Sequence, residues 1–293
     1  MKPIPLCGAV LLPALLAAGC TVTVDSQGQI VHEEKRFTVR GTPSVAAATF
    51  DGTIQVQSWD NDDVLVEIEK RGPTRAALDE IEVQTSQNGN QITVEVRRPR
   101  HSVHVFGLNV SPTARLTVWV PRHADVRARS GDGSISIERV NGKVDAHTGD
   151  GSIRATDIAG DLNLTSGDGS VTVDNAEGRL ALDTGDGSVN VSGKLAVVRL
   201  HTGDGSIVYR ADPGTTMNDD WDITTGDGGV TLYLPSGFGA ELDAHTGDGS
   251  IRNDLELSAH PDNSSRTVRG RIGAGGRQLR IRTGDGSIRI KGV

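Results

Sequence analysis

The sequence predicts an all-β protein, a parallel β-solenoid of short 18-residue coils with two strands in each, and three observations carry that prediction. The first is a turn, Gly-Asp-Gly, usually set in Thr-Gly-Asp-Gly-Ser and followed by Ile or Val. Its aspartates are Asp132, Asp150, Asp168, Asp186, Asp204, Asp227, Asp248 and Asp285, so the steps run 18, 18, 18, 18, 23, 21 and 37 residues. A fixed period of this kind marks units that stack on one another. The second is strict alternation of apolar and polar residues between the turns, the pattern of strands with one buried face. The third is composition: aromatic residues make up only 3% of the chain while glycines number 37. Such a chain fills a thin core of Val, Ile and Leu rather than a wide globular one.

Residues 1–19 form a signal segment, set apart from the fold. Lys2 supplies its positive start, and the apolar stretch from Ala9 to Ala18 is too short to span a membrane. Leu16-Ala17-Ala18-Gly19-Cys20 resembles a bacterial lipobox, although leucine is commoner where Ala17 stands. The resemblance implies cleavage before Cys20 and a diacylglycerol on its sulfur. Thr21 follows where an aspartate would retain such a protein at the inner membrane. The expected location is therefore the cell envelope: the outer membrane of a diderm cell, or the outer face of the plasma membrane of a monoderm one. Cys7 lies in the removed segment, so the mature chain has one cysteine and no disulfide.

Residues 20–36 then read as the lipidated cysteine and a polar tether. Residues 37–129 read as irregular first coils and a cap, with Phe50-Asp51-Gly52-Thr53-Ile54 as a worn copy of the turn. Strands are expected over 64–70, 91–96 and 115–120, and one short helix over 75–81, started by Pro73.

Residues 130–293 are the regular coils. One inward column runs Ile135, Ile153, Val171, Val189, Ile207, Val230, Ile251 and Ile288, and a second on the other strand runs Val144, Leu162, Leu180, Val198, Trp221, Leu242 and Leu279. In the partner column of the first strand, Ile137, Ala155, Val173, Val191, Tyr209, Leu232, Asn253 and Ile290, Asn253 alone breaks the apolar rule. Each coil buries too little to fold alone, so stacking has to supply the missing hydrogen bonds and contacts. Equivalent strands in the same direction make the sheets parallel, and the crossover rule makes the solenoid right-handed. The longer units carry their extra residues near 210–220, 234–240 and 254–277, always in the turn opposite Gly-Asp-Gly. Loops that grow on one edge of a solenoid mark a binding surface.

Four stretches, Phe50-Asp51-Gly52-Thr53-Ile54-Gln55-Val56, Ser58-Trp59-Asp60, Leu116-Thr117-Val118-Trp119-Val120-Pro121 and the serial Gly-Asp-Gly-Ser-Ile turns, carry a family resemblance. Through them the chain resembles the bacterial "putative adhesin" family of β-strand-repeat proteins, a family of unknown function, over residues 37–293. The resemblance implies a β-helical, envelope-exposed, non-enzymatic protein.

The charge distribution narrows the partners. Residues 1–129 carry 14 acidic and 14 basic side chains, and residues 130–293 carry 24 and 16. An acidic body does not wrap nucleic acid, whose phosphates need a continuous basic surface. The last stretch reverses sign, with Arg266, Arg269, Arg271, Arg277, Arg280, Arg282, Arg289 and Lys291 against Asp285 alone.

Among candidate sites, the aspartate column comes first. Stacking at about 4.8 Å sets neighbouring carboxylates to repel by about 0.9 kcal/mol even in water, so compensation is expected. The structural reading is an Asx-turn, each carboxylate accepting from the amide of the serine two residues on, with the glycines at positive φ. The alternative is divalent-cation binding, because 18 residues is twice a calcium-binding nonapeptide. One aspartate per coil is few ligands for calcium, so no cofactor is expected.

The column Ser130, Thr148, Ser166, Thr184, Thr202, Thr225, Thr246 and Thr283 faces inward and reads as a hydroxyl ladder. His147, His201 and His245 read as solvated face residues, and His101 and His104 fall on opposite faces of a strand. Tyr233, Phe238, Arg266, Arg269 and Arg271, in or beside the enlarged turns, are the expected partner contacts, whereas the inward parity of Trp221 makes it a packing residue.

The function expected is that of a non-enzymatic, lipid-anchored adhesin, surface-binding protein or scaffold, with an envelope protein or glycan as partner and self-association open to it. A calcium-dependent assembly and an envelope-stress-related partner are the alternatives, and a polysaccharide-cleaving β-helix enzyme is a third.

Overall fold

The computed structural model describes residues 20–25, 28–97 and 112–293. The signal segment 1–19 and the pair His101 and His104 lie outside the described residues. The N-terminal third contains β1 (Cys20–Asp25), β2 (Gly28–Thr38), β3 (Ser44–Thr49), β4 (Ile54–Trp59), β5 (Asp63–Gly72), α1 (Arg75–Asp79), β6 (Glu82–Asn88) and β7 (Gln91–Arg97). After residue 112 come β8 (Thr113–Pro121), β9 (Asp125–Ser130), β10 (Ile135–Glu138), β11 (Val144–Thr148), β12 (Ile153–Ser166), β13 (Val171–Thr184) and β14 (Val189–Thr202). The rest is β15 (Ile207–Ala211), β16 (Trp221–Thr225), β17 (Val230–Leu234), β18 (Ala240–Thr246), β19 (Ile251–Asn253), β20 (Leu257–Asn263), β21 (Thr267–Ile272), β22 (Gln278–Thr283) and β23 (Ile288–Gly292).

The protein is all-β, and its strands stack in parallel around one thin core. In the middle the register follows the sequence period: Ile153 pairs with Val171 and Leu162 with Leu180, each an offset of 18 residues. Both inward columns are buried through this region. β12, β13 and β14 run through the turn opposite Gly-Asp-Gly without a break; Asp157 in β12 and Asn175 in β13 take up left-handed φ of 56° and 54° there, as does Arg139, at 57°, between β10 and β11. The Asn175 amide also donates to the Asp157 carboxylate at 2.6 Å, tying one layer to the next. Gly193 does not continue the glycine column of Gly142, Gly160 and Gly178. It pairs with Ala176, and the register shifts there.

The ends depart from the expected sequential order. β22 lies between β16 and β18, and β23 between β17 and β19, so the last layer of the chain is inserted one level inside the stack. At the other end β3 lies between β7 and β9, and β4 between β8 and β10. The first parallel layer is therefore also one level inside. Antiparallel strands cover both sides of the N-terminal end, β5, β2 and β1 beyond β8 and β6 beyond β7, and one side of the C-terminal end, β21 with β20 beyond β18.

Three expectations are corrected here. Of residues 20–36, read as lipidated cysteine and tether, Cys20–Asp25 form β1 and residues 28–36 form most of β2, which pairs with β1 on one side and along its length with β5 on the other. The long third insertion is no open loop but contains the β20–β21 hairpin. The helix forms as α1, and its N-cap is Thr74, whose hydroxyl accepts from the Ala77 amide, rather than Pro73.

Candidate functional site

The Gly-Asp-Gly corner is held by contacts between layers. The Gly149 amide donates to the Gly131 carbonyl at 2.5 Å, and the same bond repeats from Gly167, Gly185, Gly203 and Gly226 to the layer before. None of the glycines in these turns has positive φ. They are glycines because the backbones approach too closely for a side chain: a Cβ on Gly169 would sit 2.0 Å from the Gly151 carbonyl oxygen, and one on Gly187 2.1 Å from that of Gly169. The hydroxyl ladder forms as expected. Thr148 donates to Gly133 O at 2.8 Å, Thr184 to Gly169 O at 2.9 Å and Thr202 to Gly187 O at 3.0 Å, all from buried side chains. The ladder follows space rather than sequence at the end, where Thr283 donates to Gly228 O and Thr246 to Gly286 O.

The aspartates do not make the expected Asx-turn. Asp132, Asp150, Asp168, Asp186, Asp204, Asp227 and Asp285 are exposed, and no described residue bonds to their carboxylates. Only Asp248 has an ion-pair partner in the column, Arg266 at 3.4 Å. High-dielectric solvent at the corner takes the place of the expected compensation. Among the described residues no group of three or more His, Cys, Asp or Glu side chains is placed to hold a metal ion. His147, His201 and His245 are exposed and are not neighbours across the sheet.

The expected partner contacts divide into two kinds. Phe238 is buried, 5.3 Å from Trp221, which in turn lies 5.4 Å from Tyr209. The three rings fill the core where the opposite turn widens, and burial pushes the Tyr209 phenol well up. Trp221 packs as its parity requires, donating from Nε1 to Ala196 O at 3.3 Å. Tyr233 is half-buried, with the Arg210 guanidinium 4.1 Å and the Lys291 ammonium 5.5 Å from its ring centre. Its face is used within the sheet. Arg269 and Arg271 are exposed but reach Asp243 at 3.0 Å and Glu241 at 2.7 Å across the β18–β21 pair. Arg282 meets Asp243 at 2.5 Å, and Arg280 meets Asp222 at 3.4 Å. Five of the eight basic residues of the last stretch, Arg266, Arg269, Arg271, Arg280 and Arg282, thus meet carboxylates of other strands and turns, which accounts for part of its reversal of sign. Burial raises the Asp243 carboxyl, and hydrogen bonds from Arg282 and Arg269 outweigh that and hold it below the usual range.

Two of the depressions on the surface are lined by described residues throughout. A shallow groove of about 380 Å³ opens on the outer face over the small side chain of Ala181, rimmed by Asn163, Asp183, Arg199, His201 and Asp222. A larger cleft of about 730 Å³ lies at the corner opposite Gly-Asp-Gly in the N-terminal layers, lined by residues 39–42, 59–62 and 121–123. It exists because β3–β4 is an inserted layer. β3 is entered from 39–43, β4 leaves through 60–62 to β5, and β8 passes to β9 over 122–124, so three crossings leave a gap that a regular turn would close. Sequence reasoning missed this cleft, although Ser58-Trp59-Asp60 and Pro121 were among the residues that carried the resemblance.

No helix among the described residues is long and apolar enough to cross a membrane. The family model Toastrack DUF4097 matches residues 47–291. No curated protein matches the sequence. Among solved structures, a putative adhesin from Bacteroides fragilis NCTC 9343 is 11% identical, covers 88% of this chain and 96% of its own, and has a TM-score of 0.46. A putative lipid binding protein from Parabacteroides distasonis ATCC 8503 is 10% identical over 88% and 96%, with a TM-score of 0.42. A putative cell adhesion protein from Clostridium sporogenes ATCC 15579 is 13% identical over 89% and 99%, with a TM-score of 0.30.

Proposed function

This chain belongs to the Toastrack DUF4097 family, and we propose that it is a non-enzymatic surface-binding rod, a right-handed solenoid of 18-residue coils held to the cell envelope by a lipid on Cys20. One observation carries the reading. Outward side chains form straight rows along the stack, as in Asp145, Asn163, Ala181 and Arg199, while antiparallel strands cover the N-terminal end and the β18 side of the C-terminal end. The sides are what such a body offers to a partner, and many weak contacts along a stiff row add through avidity.

The test uses the mature chain with Cys20→Ser, labelled and added to envelopes of the producing bacterium. Saturable binding followed by cross-linking to one envelope component is the expected result, and absence of binding above an unrelated β-protein overturns the reading. Cys20→Ser in cells should move the protein from membrane to soluble fractions, and continued retention overturns the lipid anchor. The enzyme alternative requires fragments released from envelope or plant polysaccharides, and none are expected. Calcium at millimolar concentration is expected to leave the unfolding midpoint unchanged, because a specifically bound ion raises it.

A further inference from the structure

We propose that the cleft between residues 39–42, 59–62 and 121–123 is a binding site for a neutral saccharide. The proposal names a ligand class and a place for the surface-binding reading, and in that sense rests on it. The volume, about 730 Å³, lies within the range of small-ligand sites and suits a short oligosaccharide.

The lining explains the class. Trp59 is half-buried and lines the cleft, and its indole is held in place because Nε1 donates to the Asp63 carbonyl at 2.9 Å. Trp119 braces it with ring centres 6.1 Å apart, and the Arg36 guanidinium lies 5.6 Å from the Trp59 ring centre. The part of the indole that is left open to the cleft offers the carbon-bound hydrogens of a sugar ring an apolar contact.

Around it stand exposed polar side chains of both kinds: Asp60, Asn61 and Asp62 as acceptors, Arg40 and Arg122 as donors, and His123. None of these six makes a side-chain hydrogen bond or ion pair with a described residue. Elsewhere on this surface several arginines that face carboxylates are paired, as Arg36 is with Asp63 at 2.8 Å and Arg269 with Asp243 at 3.0 Å.

The charges balance, two carboxylates against two guanidiniums. A phosphate or sulfate would call for a net basic lining and a metal ion for a net acidic one. A hydroxyl both donates and accepts, so a polyhydroxylated neutral ring uses the mixed set fully. An extended peptide would instead add to a sheet edge, and this cleft lies at a corner between layers.

The chain's own tryptophans report the binding. There are three, and Trp221 is fully buried far along the stack, so a ligand-dependent change in fluorescence comes from Trp59 or Trp119. The mature Cys20→Ser chain is applied to an array of bacterial and host glycans, and the strongest neutral oligosaccharide is then titrated by tryptophan fluorescence. Saturable quenching or enhancement is expected. Arg122→Gln and Asp62→Asn, both exposed and unpaired, should leave the unfolding midpoint in place and each weaken binding at least tenfold. Trp59→Ala should abolish it, and Trp59→Phe should restore part.

The site is refuted if no neutral glycan binds, if only peptides or acidic glycans bind, or if binding survives Arg122→Gln and Asp62→Asn unchanged. Envelope binding by the Trp59→Ala chain separates the two claims. If it persists in the absence of glycan binding, the saccharide site falls and the surface-binding reading stands; if envelope binding is also absent from the unaltered chain, both fall.

Discussion

The middle of the stack and its two ends solve different problems. In β12, β13 and β14 each residue pairs with its counterpart one period away, and neighbours in space are neighbours in sequence. At the ends the chain skips a level, so that β22–β23 and β3–β4 are each clasped on both sides by layers formed from other parts of the sequence. A repeat gives every layer the same two mating surfaces, so stacking alone does not dictate order. The ends require something that distinguishes one layer from another. At the C-terminus that is charge, with Arg280 facing Asp222 and Arg282 facing Asp243. A final pair of bonds then locks the terminus, between Ser236 N and Val293 O at 3.1 Å and between Val293 N and Leu234 O at 3.0 Å.

The sharpest way to break this contrast is to remove one layer from each region. Deleting 153–170 joins Ser152 to Val171 in phase, and the chain should fold with one layer fewer and a modestly lower midpoint. Deleting 278–293 removes fewer residues but strips partners from β16, β17, β18 and β19 at once. It should cost more than about 4 kcal/mol, in the range reserved for lost core structure, and make residues 235–277 sensitive to protease. Urea unfolding and limited proteolysis of the two deletions give the comparison. Equal tolerance would mean that the inserted layer is no clasp.

Within the middle, the next largest effect belongs to the corner. Gly169→Ala places a Cβ 2.0 Å from the Gly151 carbonyl oxygen, and the backbone of one layer must move. A loss of about 3 kcal/mol is expected, the upper end of overpacking costs. Gly229→Ser is the control, because its Cβ has its nearest neighbour at 3.3 Å and the same place is serine at Ser134 and Ser152. It should change stability by less than about 1 kcal/mol. Similar losses at both positions would mean that close approach does not set the corner.

These two glycines also show where sequence reading reached and where it stopped. Alternation assigned the inward columns and the hydroxyl ladder residue by residue, because parity is a local property that every layer shares. The corner was located correctly but for another reason. A glycine demanded by left-handed φ and one demanded by a carbonyl 2 Å away look the same in one dimension, and only the pairing of Gly169 with Gly151 separates them. Layer order was hidden for a related reason, since the units at Asp227, Asp248 and Asp285 carry the same turn. The cleft at Trp59 was hidden because it is formed by the order of crossings. Phe238 is an expected partner contact from its place in an enlarged turn, yet that turn folds it back onto Trp221.

A smaller effect tests the ladder. Thr184→Val keeps the shape of the side chain and removes the hydroxyl that donates to Gly169 O at 2.9 Å. That carbonyl is buried at the corner, so a loss of about 1–2 kcal/mol is expected from an unmade hydrogen bond, read as a shift in urea midpoint at constant slope. A neutral outcome would mean that the ladder fills space without contributing bonds.

The smallest effect concerns charge at the inserted layer. Asp243 accepts from Arg282 on β22 and Arg269 on β21, and its carboxyl is held below its unfolded value. A carboxyl whose pKa is depressed on folding contributes stability above its unfolded pKa of about 3.9, and that contribution disappears as pH falls through the folded value. Both arginines are partly exposed, so solvent limits the contribution to about 1 kcal/mol. Asp243→Asn should therefore be less stable than the unaltered chain at pH 7, and the gap should close as pH falls below the unfolded pKa and through the lower folded one. Asp161→Asn in the middle, whose carboxylate lies 3.8 Å from Arg179 with both side chains well exposed, should show almost no gap at any pH. Urea unfolding of the three proteins from pH 7 downward measures the difference. A gap for Asp243→Asn that stays constant with pH would show that packing, and not charge, selects the inserted layer.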